Sequence, residues 1–107
     1  MTRRVIRLPQ ARRDIVMTAL YLGERNPAAA EHFVRAVTDS QEMLSQRPGI
    51  GSPRILGGAR LKGLRMHPVQ GFKRWLIFYI ERRGAIEILR VLHGARDLEA
   101  LLGEGEE

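Results

Sequence analysis

Three histidines, His32, His67 and His93, and sixteen arginines beside two lysines carry most of the chemistry open to this sequence. The histidines are scattered, without the close spacing a metal site needs, so no metal is expected. There is no cysteine, which excludes disulfides, thiolate zinc sites and cysteine nucleophiles and fits a reducing compartment. No serine-histidine-aspartate order, phosphate-binding Walker loop or dinucleotide fingerprint can be read, and no cofactor is expected; Gly49-Ile50-Gly51, flanked by Pro48 and Pro53, reads as a turn. What remains is cationic and aromatic. Guanidinium forks suit phosphates and carboxylates, although genome base composition would produce the same arginine excess. Trp75, Phe78 and Tyr79 beside Lys73 and Arg74 have the composition of a base-stacking surface. With only 6% aromatic residues, packing them into one core strand is the simpler explanation. Histidine is the residue type suited to proton transfer at neutral pH, but at His93 the presence of Asp97 four residues on makes a hydrogen-bonded strand end the plainer reading of the pair. The net charge of +6 and pI near 11 select negatively charged partners: nucleic acid, a nucleoprotein enzyme or an acidic protein segment.

The elements that would position these groups follow from periodicity. Val5-Ile6-Arg7-Leu8 reads as a short strand, and Pro9 presets the backbone of a first helical turn. Ala11, Ile15, Ala19 and Leu22 then recur at helical spacing, with Arg12, Arg13 and Asp14 largely off that face, so a helix runs from Pro9 to about Gly23. Asn26-Pro27 caps and starts a second helix to about Gln46, whose stripe is Ala30, Phe33, Val37, Gln41 and Leu44, widened by Val34 and Ala36. The breakers from Arg47 to Pro53, followed by Gly57-Gly58, predict a loop. Downstream the period becomes two. Leu64 and Met66 alternate with Arg65 and His67, and Phe72 to Ile80 is apolar enough for a central strand covered on both faces. After a polar turn at 81–84, Ala85 to Leu92 forms the last strand, with Ile86, Ile88, Arg90 and Leu92 on one face and Glu87, Leu89, Val91 and His93 on the other. A short helix over 96–102 and a frayed acidic tail at 103–107 complete the chain.

The predicted order is therefore β-α-α-β-β-β: an α+β domain with a helical hairpin on one face of a mostly antiparallel four-stranded sheet, the other face less protected. With 107 residues the chain is expected to form a single domain. Its longest uninterrupted apolar run, Trp75 to Ile80, is far short of the ~20 residues of a membrane span, and Met1-Thr2-Arg3-Arg4 leads into no signal-peptide core, so a cytoplasmic location is expected.

Four local signatures, in order on these elements, resemble the ParE branch of the ParE/RelE toxins of bacterial type II toxin-antitoxin systems. They are Leu8-Pro9-Gln10-Ala11-Arg12-Arg13-Asp14-Ile15, Asn26-Pro27-Ala28-Ala29-Ala30, Leu64-Arg65-Met66-His67-Pro68-Val69 with Gly71-Phe72, and the pair Leu76-Ile77-Phe78-Tyr79 and Ile88 to Asp97. The chain departs from the pattern at Leu8, where relatives carry a capping serine, at His67, where an aromatic is frequent, and at Trp75, where tyrosine is frequent.

The resemblance implies a toxin that binds DNA gyrase and poisons it without chemistry of its own. It also implies a cognate antitoxin with an acidic-hydrophobic C-terminal segment. Arg65, Arg90 and Arg96, expected to be exposed, are the candidate target contacts. The alternative within the superfamily is a ribosome-dependent mRNA endonuclease of the RelE type, for which Lys62, Arg65, Arg74 and Arg90 would hold the RNA backbone and His93 would be the catalytic candidate. The C-terminal tyrosine and paired-lysine strand common in such nucleases are missing. A third possibility is a non-toxic antitoxin-binding module.

Overall fold

The computed structural model describes residues 2–55, 61–94 and 97. Strand β1 (Arg4–Arg7) leads directly into helix α1 (Pro9–Arg25). Leu8 stands at the N-cap and offers no side-chain bond. Pro9 instead removes one of the amide donors that a helix start leaves orphaned. At the other end the Asn26 amide bonds the Leu22 carbonyl at 3.0 Å, while its side chain accepts from the Ala28 N–H at 3.1 Å and starts α2 (Pro27–Gln46). One residue thus stops one helix and caps the next, which makes the predicted hairpin tight.

The hairpin buries Ala11, Ile15, Phe33, Val37 and Leu44 against Ile77, Tyr79, Ile86, Ile88 and Val91. Val34, expected to widen the α2 stripe, is instead 42% exposed. The α2 face continues through Ser40, which accepts the Gln70 N–H at 3.0 Å and so ties the helix to a turn of the sheet.

The sheet has five strands rather than four, in the order β1-β5-β4-β3-β2. Strands β3 (Leu64–Val69), β4 (Phe72–Arg82) and β5 (Ala85–His93) form the expected antiparallel meander, and β1 lies parallel to β5 at the edge. The additional strand is β2 (Ser52–Pro53), inside the segment predicted as loop, preceded by a 3-10 turn at Pro48–Ile50. A proline has no donor for a second neighbour, so β2 can only be an edge. Gly71 and Gly84, with φ of 82° and 72°, occupy the left-handed region in the two hairpin turns.

A second correction concerns β5. Phe78 pairs with Arg90 but Tyr79 with Ile88, so Leu89 is an extra residue, and the side-chain alternation reverses there. Ile86, Ile88 and Val91 consequently face the helices, whereas Leu89 and Leu92 join Leu61, Leu64, Phe78 and Ile80 on the opposite face. That face carries a smaller buried cluster of its own. Apart from Asp97, the predicted helix at 96–102, the tail at 103–107, Gly57-Gly58 and Arg96 lie outside the described residues. Among the described residues no helix is long and apolar enough to cross a membrane.

Candidate functional site

Strand β1 stops at Arg7, with the Leu8 amide bonding the Ile88 carbonyl, while β5 continues to His93. The edge of β5 beyond Ile88 would have unpaired amides, and α1 supplies the missing partner. Asp14 Oδ2 accepts the Val91 N–H at 3.0 Å and the Arg90 Nε–H at 2.8 Å, and Oδ1 accepts from Arg90 Nη2 at 3.1 Å. The pair is nine-tenths shielded from solvent. A fork-on-carboxylate contact of this kind fixes the angle between helix and sheet. Arg90, expected on an exposed target surface, is therefore buried, its guanidinium held by the Asp14 carboxylate.

The other basic candidates do not converge on one point. Arg65 is half-buried, its Nη1 donating to the Gly51 carbonyl at 2.7 Å and the Gly49 carbonyl at 3.3 Å. It thereby holds the same loop that Tyr79 holds from below: the phenol donates to the Pro48 carbonyl at 2.7 Å and accepts the Gly51 N–H at 2.9 Å. Burial pushes the Tyr79 pKa above its usual value, against the lowering effect of the Gly51 bond. Lys62 is exposed just before β3, near Ile80, and Arg74 is exposed at the far end of β4, roughly 20 Å away along the strand. His93 meets the Trp75 indole edge-on at 5.0 Å, within a ring cluster that includes Phe33 and Phe72. Asp97 reaches back to the His93 backbone, its carboxylate accepting the His93 N–H at 3.0 Å while its own N–H donates to the His93 carbonyl at 2.8 Å. Trp75 is half-buried among these rings, in keeping with packing rather than an open stacking platform.

On the outer side of the hairpin lies a different surface. Ile15, Val16, Ala19, Leu20, Ala30 and Val34 line an apolar groove of about 950 Å³ between α1 and α2. Val16 and Leu20 are 56% and 60% exposed there, and Met17 and Tyr21 continue the apolar strip around α1. Patches of this kind on a small domain mark contact surfaces. The ParE toxin of the type II toxin-antitoxin system, parDE, is the family whose sequence pattern matches residues 5–98.

The chain belongs to the ParE toxin family.

A solved structure titled as the chromosomal ParDE TA system from P. aeruginosa has the same fold, with a TM-score of 0.72 and 17% identity over 86% of this chain and 96% of that one. No curated protein matches the sequence. For a ParE-family chain, inspection of the residues missed the Asp14 lock and, although it expected a groove beside the helical hairpin, left the lining of that groove unnamed. A second apolar strip, Val16-Met17-Leu20-Tyr21, is visible at helical spacing and could have pointed to the groove. Nothing local pairs Asp14 with Arg90, 76 positions apart.

Proposed function

We propose that this ParE-family protein arrests growth by binding DNA gyrase and trapping its cleaved-DNA state, and that a cognate antitoxin neutralises it by docking on the α1–α2 groove. The observation that carries this reading is the dispersal of the basic candidates. Arg90 is tied to Asp14, Arg65 to the Pro48–Gly51 loop, and Lys62 and Arg74 lie at opposite ends of the sheet, so they form no common cradle for an RNA phosphate. A binder needs no such convergence. It only has to favour the cleaved gyrase complex over the resting enzyme by differential affinity. Arg65 and Arg96 remain the proposed target contacts, and Arg90 acts indirectly by holding α1 in place. The cytoplasm is where such a target would be met.

The antitoxin segment would enter as an amphipathic helix, its apolar side in the groove, ordering as it binds. Apolar burial would dominate, so the complex should survive high salt. The test is to incubate the purified, antitoxin-free protein with gyrase, ATP and supercoiled plasmid, then denature and digest the protein. Dose-dependent linear DNA, suppressed by antitoxin, is the expected result. Its absence, with folded protein that still arrests growth, would favour mRNA cleavage on translating ribosomes, and loss of cleavage in a folded His93→Ala variant would then identify the catalytic group. Normal growth on expressing folded protein would leave an antitoxin-binding module.

A further inference from the structure

The side of β1 facing away from β5 carries a polar notch of about 290 Å³, lined by Val5, Arg7, Arg12, Thr38, Gln41 and Glu42. Arg7 and Arg12 also line the apolar groove between the helices, so the two concavities adjoin through them. Arg7 is held rigidly: its Nε donates to Gln41 Oε1 at 2.7 Å and its Nη2 to Thr38 Oγ1 at 3.2 Å, while the Thr38 hydroxyl donates to the Val34 carbonyl. This geometry leaves Arg7 Nη1 with no acceptor among the described residues. It also orients the Gln41 amide oxygen toward Arg7, leaving the buried Nε2 without a partner.

Such an orphan donor costs free energy in a folded protein and calls for an explanation. The charges point the same way. Among the described residues no carboxylate lies within ion-pair distance of Arg7 or Arg12, although Glu42 lines the same notch. Burial and the Arg12 charge both lower the Arg7 pKa, so two cations repel with no anion between them.

We propose that the Arg7–Arg12–Gln41 notch is a carboxylate-binding site, filled by an acidic side chain of the peptide segment that occupies the adjoining groove. The identity of the occupant rests on the antitoxin reading above; the chemistry of the site does not. A guanidinium whose plane is already fixed gives up little freedom when a carboxylate arrives, and the fork geometry matches. Glu42 tunes the choice of anion. Its negative charge repels a doubly charged phosphate more than a single carboxylate. The apolar groove would then supply most of the affinity, and the notch would set the register in which the segment lies.

The site is tested by adding sodium acetate to the isotope-labelled protein at constant ionic strength and following the amide signals of Arg7, Thr38 and Gln41. A saturable shift at these signals is expected. Arg12→Gln, an exposed change that leaves the core alone, should weaken acetate binding about threefold, and Arg7→Lys roughly tenfold. Equal shifts with sodium chloride, or tighter binding of inorganic phosphate than of acetate, would overturn the proposal. The occupant is tested with the antitoxin co-expressed from its own operon. A complex that forms with unchanged affinity in both variants would sink the acidic-side-chain inference while leaving the antitoxin reading intact. Acetate binding with no antitoxin complex at all would do the reverse.

Discussion

The two sides of α1 differ more than any two elements of the fold. Toward β5, Asp14 accepts three hydrogen bonds and shares a solvent-shielded contact with Arg90. Toward solvent, only two to six positions further along the same helix, Val16 and Leu20 are more than half exposed. Polar groups are satisfied where water is excluded, and apolar groups are uncovered where water is free. The first arrangement is what an isolated fold requires. The second is unfavourable for an isolated fold, and it is the face on which we propose that the antitoxin docks. Sequence type alone would have ranked the two sides the other way round, with the charged residues outside and the leucine within.

The contrast is broken most severely at Asp14. Asp14→Ala removes the carboxylate that holds the buried Arg90 and leaves the Val91 N–H without an acceptor, and should cost about 3–5 kcal/mol in denaturant unfolding. That is a large share of the ~5–15 kcal/mol available to a domain. Replacing the pair together, Asp14→Leu with Arg90→Met, should recover much of the loss but not the bond to Val91. A cost under ~1 kcal/mol for Asp14→Ala alone would show that the contact behaves as a surface ion pair. Arg90→Ala is for the same reason a poor probe of target contact unless folding is measured alongside.

Tyr79→Phe comes next. It strands the Pro48 carbonyl and the Gly51 N–H, and an expected loss of about 1–3 kcal/mol can be read from the unfolding midpoint. The same phenol sets an alkaline limit. Its folded pKa lies above the value of 10.0 for the free side chain, so the folded state retains the proton more strongly. Its contribution is complete below pH 10 and is lost as pH rises through the raised folded value. Wild-type stability should therefore fall above pH 10 by more than that of Tyr79→Phe, and parallel curves would contradict the assignment.

The smallest effect on folding should come from the outer side. Leu20→Asp should change stability by no more than about 0.5 kcal/mol, yet weaken the antitoxin complex more than tenfold by isothermal titration. Unchanged affinity would move the docking surface away from the groove, and a large loss of stability would mean that Leu20 belongs to the core after all.

Much of the fold was legible because its signals are local. The Asn26-Pro27 boundary, the α2 limits and the meander follow from caps, helical spacing and two-residue alternation, each set by a few neighbouring residues. The additional β2 strand was hidden because Ser52–Pro53 takes its conformation from β3 rather than from its own propensity. The faces of β5 were misassigned beyond Leu89 because a bulge is a mismatch between two strands and leaves no trace in either one. Of the site, the resemblance conveyed the class of protein, while the residues conveyed only the positive charge. The positions of Arg65 and Arg90 depended on carbonyls and a carboxylate far away in the chain.

By itself, then, the sequence determined the helical hairpin, the three-stranded meander, most of the apolar core and the ParE-family character, all of which rest on interactions within one element or its immediate neighbour. Only the tertiary structure decided which charges are buried and which apolar residues are left outside. Those outcomes depend on where β1 stops, where β5 bulges and which way α1 turns against them, and desolvation is a property of the assembled surface rather than of any residue's type.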